Sequence, residues 1–191
     1  METMTATIPT SVPIAITDPA FAQKVQARSH EPLMRCYYCQ KCSVGCPTSF
    51  AMDYQPAQVL KMVQLGQKEA LLKSSAIWLC IGCETCGTRC PNDIRINNVM
   101  DVLKEMALEE GVAPAEKTVY ALHRSFLNSI KIFGRLHELS MLAEYMLRVP
   151  QKLPQEIGLG VTLILKGKVL KFWSAIKGRD QIRELFRRAG L

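Results

Sequence analysis

The sequence predicts an all-α protein, with helices set around two cysteine-rich loops and continued by a helical C-terminal extension. Three observations predict it. All eight cysteines fall into two runs, Cys36, Cys39, Cys42 and Cys46 before Pro47, and Cys80, Cys83, Cys86 and Cys90 before Pro91, each spaced C-x2-C-x2-C-x3-C-P. Outside the runs, apolar residues recur at three- and four-residue steps, as on one face of a helix. No stretch around the runs shows the alternation of apolar and polar residues that marks a half-buried strand.

The cysteine spacing carries the chemistry. Thiolates at these intervals before a proline are the bacterial ligand pattern for a four-iron, four-sulfur cluster, and in two-cluster proteins the fourth cysteine ligates the other cluster. The expectation is therefore two [4Fe-4S] clusters with crossed ligation. Cys36, Cys39, Cys42 and Cys90 would hold cluster 1, and Cys80, Cys83, Cys86 and Cys46 would hold cluster 2. Two-residue spacers wrap the chain round a cluster with its amides turned toward the sulfurs. Such hydrogen bonds, with burial and net charge, set a reduction potential within roughly −700 to +450 mV. Crossing brings the clusters close together, as a one-electron relay requires. Zinc prefers paired cysteines with a longer gap between pairs. Disulfides need an oxidising compartment. A purely structural cluster usually occurs once rather than twice.

The chain of 191 residues is long enough for one domain with extensions. With its thiols assigned to metal, a reduced cytoplasmic setting is expected. The first twenty residues lack a basic start and a continuous apolar run, so no secretory signal is expected. The longest apolar run, residues 157–165, is too short to span a membrane. The net charge of +7 is uneven: residues 1–35 sum to zero, residues 36–112 to −1, and residues 113–191, with six acids against fourteen bases, to +8.

Taken in order, residues 1–17 read as an extended arm, with Pro9 and Pro13 opposing any helix. Residues 18–112 form the cluster-binding domain. Asp18 and Pro19 open a helix reaching about residue 28. Between the runs, residues 53–56 start a helix bearing Val59, Leu60, Met62 and Val63, with Gly66 as its stop. A short helix from residue 67 to about 73 then leads to Ile77, Trp78 and Leu79, which should pack beside the second cluster. After Pro91, Asn92 or Asn97 can cap a helix carrying Ile96, Val99, Met100, Leu103, Met106 and Ala107 on one face. Residues 113–191 form a basic helical extension for subunit docking. Its first stripe is Val119, Leu122, Phe126, Ile130 and Phe133, and its second is Leu136, Leu139, Leu142 and Met146; both are core or partner-facing surface. The end mixes Lys166, Lys168, Lys171, Phe172, Trp173, Lys177, Arg179, Arg183, Arg187 and Arg188, and residues 181–189 can form a basic amphipathic helix. That end suits a solvated face or subunit contact, and it allows peripheral contact with a membrane surface. Nucleic acid is not an expected partner, because no recognition motif accompanies the charge.

The details of the runs resemble a known family. Cys36-Tyr37-Tyr38-Cys39-Gln40-Lys41-Cys42 with Gly45-Cys46-Pro47, and Trp78-Leu79-Cys80-Ile81-Gly82-Cys83-Glu84-Thr85-Cys86 with Arg89-Cys90-Pro91, resemble the alpha-helical ferredoxin domain of the iron–sulfur C subunit of heterodisulfide reductase over roughly residues 30–110. The resemblance implies an electron-transfer subunit of an oxidoreductase complex. It would carry electrons from a flavin-containing A subunit to a B subunit that reduces a disulfide, in methanogens the coenzyme M–coenzyme B heterodisulfide. No catalytic residue of its own is expected: no cysteine is left for a further cluster, and no glycine-rich dinucleotide fingerprint is present. His30, His123 and His137 read as surface or capping residues. Lys41, Arg89 and Arg95 either tune cluster potentials or are simply solvated. Two other readings are the electron-transfer subunit of a related oxidoreductase complex, and an iron–sulfur regulator that binds nucleic acid through its basic tail.

Overall fold

Helix order follows from where the chain can cap and stop its turns. The computed structural model describes residues 18–150 and 176–190. The arm expected over residues 1–17, the apolar run 157–165, and Lys166, Lys168, Lys171, Phe172 and Trp173 lie outside the described residues. The chain divides into two compact units, Met1–Glu116 and Lys117–Leu191. Among the described residues every regular element is helical, as the all-α reading expects.

In the first unit, α1 (Pro19–Ser29) opens on Asp18, whose carboxylate accepts the Ala20 N–H at 3.0 Å. A 3-10 turn, Leu33–Arg35, feeds the first cysteine run, which ends in the short helix α2 (Lys41–Val44). After a second 3-10 turn, Ser49–Ala51, come α3 (Pro56–Gln64), α4 (Lys68–Leu72) and α5 (Ala76–Leu79). The second run ends in α6 (Thr85–Thr88), and α7 (Ile96–Glu109) closes the unit.

Gly66 stops α3 as the sequence expects. It is left-handed (φ 71°), its N–H donates to Val63 O, and the Gln67 N–H donates to Met62 O, a doubly bonded helix stop. A Cβ there would lie 2.2 Å from Asp18 O, so glycine also lets the start of α1 approach.

Helix α1 packs on α3 and α7, while α4 and α5 pack on α7. Phe21, Val25, Leu60, Val63, Ile77, Val99, Met100, Leu103 and Met106 are buried among these helices. Each such side chain contributes about 1.5–3 kcal/mol by leaving water. Arg28 bridges α1 to Glu109 (2.7 Å) and Glu105 (3.1 Å) on α7. These partly exposed pairs add about 1 kcal/mol or less and mainly fix the helix register.

One local expectation is corrected. Neither Asn92 nor Asn97 caps α7: Arg95 holds the N-cap position, and the Glu31 carboxylate, from a distant loop, accepts the Arg95 N–H (2.9 Å) and the Asn98 amide (2.7 Å). Helix α3 starts within the expected residues 53–56, at Pro56 behind Gln55, but its N-cap is not Asp53. The two Asp53 carboxylate oxygens accept the Ala76 N–H (2.9 Å) and the Ser75 N–H (2.8 Å), capping α5 instead.

The second unit holds α8 (Lys117–Phe133), α9 (Glu138–Arg148) and α10 (Arg179–Arg188), with α8 packed against both others. The α8–α9 corner is hydrogen-bonded through Ser129, whose hydroxyl accepts the His137 N–H at 2.8 Å. His137 Nδ1 accepts the Ser140 N–H at 3.3 Å, and its ring stacks on Phe133 at 4.7 Å. The buried face of α8 is the small-residue line Ala121, Ser125 and Ser129, and Leu122 and Phe126 from the expected stripe are each 40% exposed. Small residues let helices approach closely, which displaces the larger apolar groups to the rim. The expected basic helix near the C-terminus is α10, where Glu184 pairs with Arg187 and Arg188.

Leu103→Ala should cost about 2–5 kcal/mol of stability through the cavity it leaves. Denaturant unfolding of the loaded protein checks this, with the exposed Leu108→Ala as the control that changes little.

Candidate metal centres

Both cysteine runs adopt one conformation, and sequence alone could not have shown that. In the first, Tyr38 (φ 63°) and Gln40 (φ 63°) are left-handed; in the second, Gly82 (φ 64°) and Glu84 (φ 58°) occupy the corresponding positions. Alternation of this kind turns successive amides toward one side and makes a concave anion site, an arrangement common at iron–sulfur centres. Left-handed geometry costs Gly82 nothing, but for an aromatic residue such as Tyr38 it is strained by about 1–3 kcal/mol.

The third cysteine of each run stands on a short helix, Cys42 on α2 and Cys86 on α6, and these two helices pack together. The fourth follows at the helix end, where the Cys46 N–H donates to Ser43 O and the Cys90 N–H to Gly87 O.

The packing of α2 on α6 brings the fourth cysteine of the first run across. Cys46 lines one cavity with Cys80, Cys83 and Cys86. Its other walls include Met52, Pro56, Ile81, Ile96 and Met100, and it holds about 370 Å³ of empty space, part of it open to solvent. On the other side, desolvation and then the charges of Cys39, Cys90 and Cys36 push the Tyr37 phenol above its ordinary range, and the Cys36 charge also acts on Cys42. The second run's cavity thus combines three thiols of that run with Cys46 of the first. The thiols ring their cavities, and among the described residues no three His, Cys, Asp or Glu groups gather as ligands of a single ion would. Mostly apolar walls, soft thiol donors and inward amides fit an iron–sulfur cluster.

Several groups with no signature in the sequence anchor the loops. Gln64 donates to Leu33 O (2.9 Å) and Cys36 O (3.3 Å), and Asn92 donates to Arg35 O (2.7 Å), tying the first run to segments beyond it. Asp53 and Glu31 cap the helices on either side of the second run. Ser43 accepts the Ala57 N–H at 3.0 Å. Lys104 donates to Cys80 O (3.4 Å) and pairs with Asp101 (3.0 Å). Of the cations singled out from the sequence, the Arg89 side chain lies over Gly45, where a Cβ would meet its Cδ at 2.7 Å, and the Arg95 stem lies near Gly87. No pattern of spacing announces the contacts of Gln64, Asn92, Asp53, Glu31 and Ser43, because each joins residues fourteen or more apart in the chain.

Residues 32–94 match the 4Fe-4S dicluster domain family, and this interval contains all eight cysteines. The C subunit of the H2:CoB-CoM heterodisulfide, ferredoxin reductase of Methanothermobacter thermautotrophicus is 30% identical over 103 residues, 53% of this chain and 56% of that protein. The C subunit of the ferredoxin:CoB-CoM heterodisulfide reductase of Methanosarcina acetivorans is 38% identical over 90 residues, 47% of this chain and 36% of that protein. The iron–sulfur C 2 subunit of the CoB–CoM heterodisulfide reductase of Methanocaldococcus jannaschii is 37% identical over 76 residues, 40% of this chain and 40% of that protein. Over these stretches the chain is similar to the C subunits of heterodisulfide reductases. It spans about half or less of the length of the C-subunit proteins it matches. No helix among the described residues is long and apolar enough to cross a membrane.

The thiols differ in readiness. Burial first, then the nearby Cys36 charge, pushes the Cys42 thiol up to about 11, despite hydrogen bonds from Ser43. Burial also raises Cys80 and Cys86. The exposed Cys83 is lowered, chiefly by its hydrogen bond with the Thr85 hydroxyl at 3.4 Å. A lowered pKa keeps the thiolate populated at lower pH, and a raised one delays it. In the metal-free protein near neutral pH, Cys83 should therefore be alkylated before Cys42. Cys42 labelling should climb only as pH approaches 11, which peptide mass spectrometry after timed iodoacetamide treatment checks.

Proposed function

We propose that this chain is the electron-transfer subunit of a heterodisulfide reductase-like oxidoreductase complex, carrying two [4Fe-4S] clusters and no catalytic site of its own. Cluster 1 is assigned to Cys36, Cys39, Cys42 and Cys90, and cluster 2 to Cys80, Cys83, Cys86 and Cys46. The observation that carries the reading is the sharing of one cavity by Cys46 with Cys80, Cys83 and Cys86. A thiol from the first run at the second run's cavity supports exchange of the fourth ligands, and exchange holds the two sites side by side. When bound, a cubane cluster supplies a one-electron couple tuned by hydrogen bonds, charge and burial.

The chain's own residues hold and insulate that couple. The left-handed positions aim amides at the sulfurs, Thr85 and Thr48 offer hydroxyls to Cys83 and Cys46, and Met52, Ile96 and Met100 wall one cavity from water. The partners assigned on the strength of the family resemblance are a flavin-containing A subunit and a disulfide-reducing B subunit, in a cytoplasmic complex. A related oxidoreductase complex is the second reading, favoured by how little of each C-subunit protein the chain matches. The proteins that co-purify with the tagged chain separate the two.

Exchange of ligands makes a swapped prediction. Cys90→Ser should damage the cluster on Cys36, Cys39 and Cys42, and Cys46→Ser the cluster on Cys80, Cys83 and Cys86. Iron content and paramagnetic resonance of the reduced variants check it. Loss of each variant's own-run cluster instead would contradict the assignment.

A further inference from the structure

The two cysteine runs correspond position by position, but their charges do not. Lys41 in the first run corresponds to Thr85 in the second, and Arg89 in the second corresponds to Gly45 in the first. Each run ends beside the other's thiols, so both cations fall on one mouth. Cys39, Lys41, Val44 and Arg89 line that single opening. Cys39 is exposed, Val44 is 83% exposed, and Tyr37, beside Cys39, is 63% exposed.

The other mouth differs in kind. Its lining includes the exposed Cys83 and Ile81, and its charged group is the carboxylate of Glu84. Lys104, behind it at Cys80 O, is paired with Asp101.

Lys41 and Arg89 make no ion pair among the described residues. Arg89 is also held in place, its stem laid over Gly45, where a side chain would displace it. Two cations, one of them held in place, beside an exposed thiol and exposed apolar groups form a desolvatable centre with a charged rim, the composition of a transient protein interface.

We propose that this mouth is the docking surface for an acidic electron-transfer protein, one that presents carboxylates around its own redox centre. The inference rests on the electron-relay reading above. In the exchange one electron leaves the reduced partner and enters the loaded chain, or the reverse, with no bond made and no proton moved. Lys41 and Arg89 steer the encounter, while Val44 and Tyr37 supply the apolar contact that excludes water between the two centres.

The test uses the full chain with its clusters bound and a reduced, acidic plant-type ferredoxin as probe, followed by stopped-flow absorbance over a range of salt. The native rate should fall as salt rises, because screening weakens attraction between opposite charges. Lys41→Glu with Arg89→Glu should slow exchange at low salt by about tenfold or more. Lys41→Gln with Arg89→Gln should lie between, and all rates should converge at high salt. Lys73→Glu, which changes net charge as much as one reversal but lines neither mouth, is the control and should stay close to native.

Iron, sulfide and resonance spectra of each sample report separately on the clusters, and if a reversal lowers their content the glutamine pair carries the comparison. Native protein that holds no redox-active cluster overturns the relay reading and this proposal with it. Intact clusters with rates indifferent to salt, unchanged in both double variants, or slowed equally by Lys73→Glu overturn the docking surface alone.

Discussion

Holding four thiolates around one small space is the constraint on which the rest of the first unit depends. Thiolates repel one another and resist burial, and the raised values of Cys42, Cys80 and Cys86 register that resistance directly. Two devices oppose it. Left-handed residues at Tyr38, Gln40, Gly82 and Glu84 turn amides toward the sulfurs, and a frame of helices keeps the loops from relaxing. Strain at Tyr38 can persist only because the frame over-determines it. Helices α1, α3, α5 and α7 make that frame, with Asp53, Glu31, Gln64 and Asn92 reaching across the chain to fasten the loops to it.

The same packing gives the two sites unequal surroundings. Close contact between α2 and α6 brings Cys46 to the second run's cavity and lays Arg89 over Gly45 at the first. Two sites built from loops of one conformation thus gain different charges from three corresponding positions, Gln40 and Glu84, Lys41 and Thr85, Gly45 and Arg89. Direction in a relay needs such a difference, since identical sites with identical mouths would present the same face to donor and acceptor.

Much of this could be read in the chain before its fold. The cysteine spacing named the cluster chemistry, Asp18 and Pro19 marked the start of α1, and the 3.6-residue pattern from Ile96 to Ala107 gave the buried face of α7. These signals are local, set by neighbours within a turn or two. Other features could not be read that way. Asp53 stands just before the nearest helix, yet caps one twenty-three residues on, and Glu31 replaces the asparagines expected at α7. Burial in α8 follows Ala121, Ser125 and Ser129 rather than the larger apolar stripe, because closeness of approach decides which face packs and periodicity alone does not reveal it. The pairing of Lys41 with Arg89 on one mouth depends on the crossing of the runs, which only the packing of α2 on α6 produces.

Anaerobic iron and sulfide analysis, joined to paramagnetic resonance of the reduced protein, tests the central claim most directly. Two adjacent clusters with exchanged ligands require about eight irons and eight sulfides per chain. They also require a reduced spectrum broadened and split by coupling between two spins. A single isolated signal with half that iron, or tightly bound zinc with no redox-active signal, would contradict the paired-cluster account.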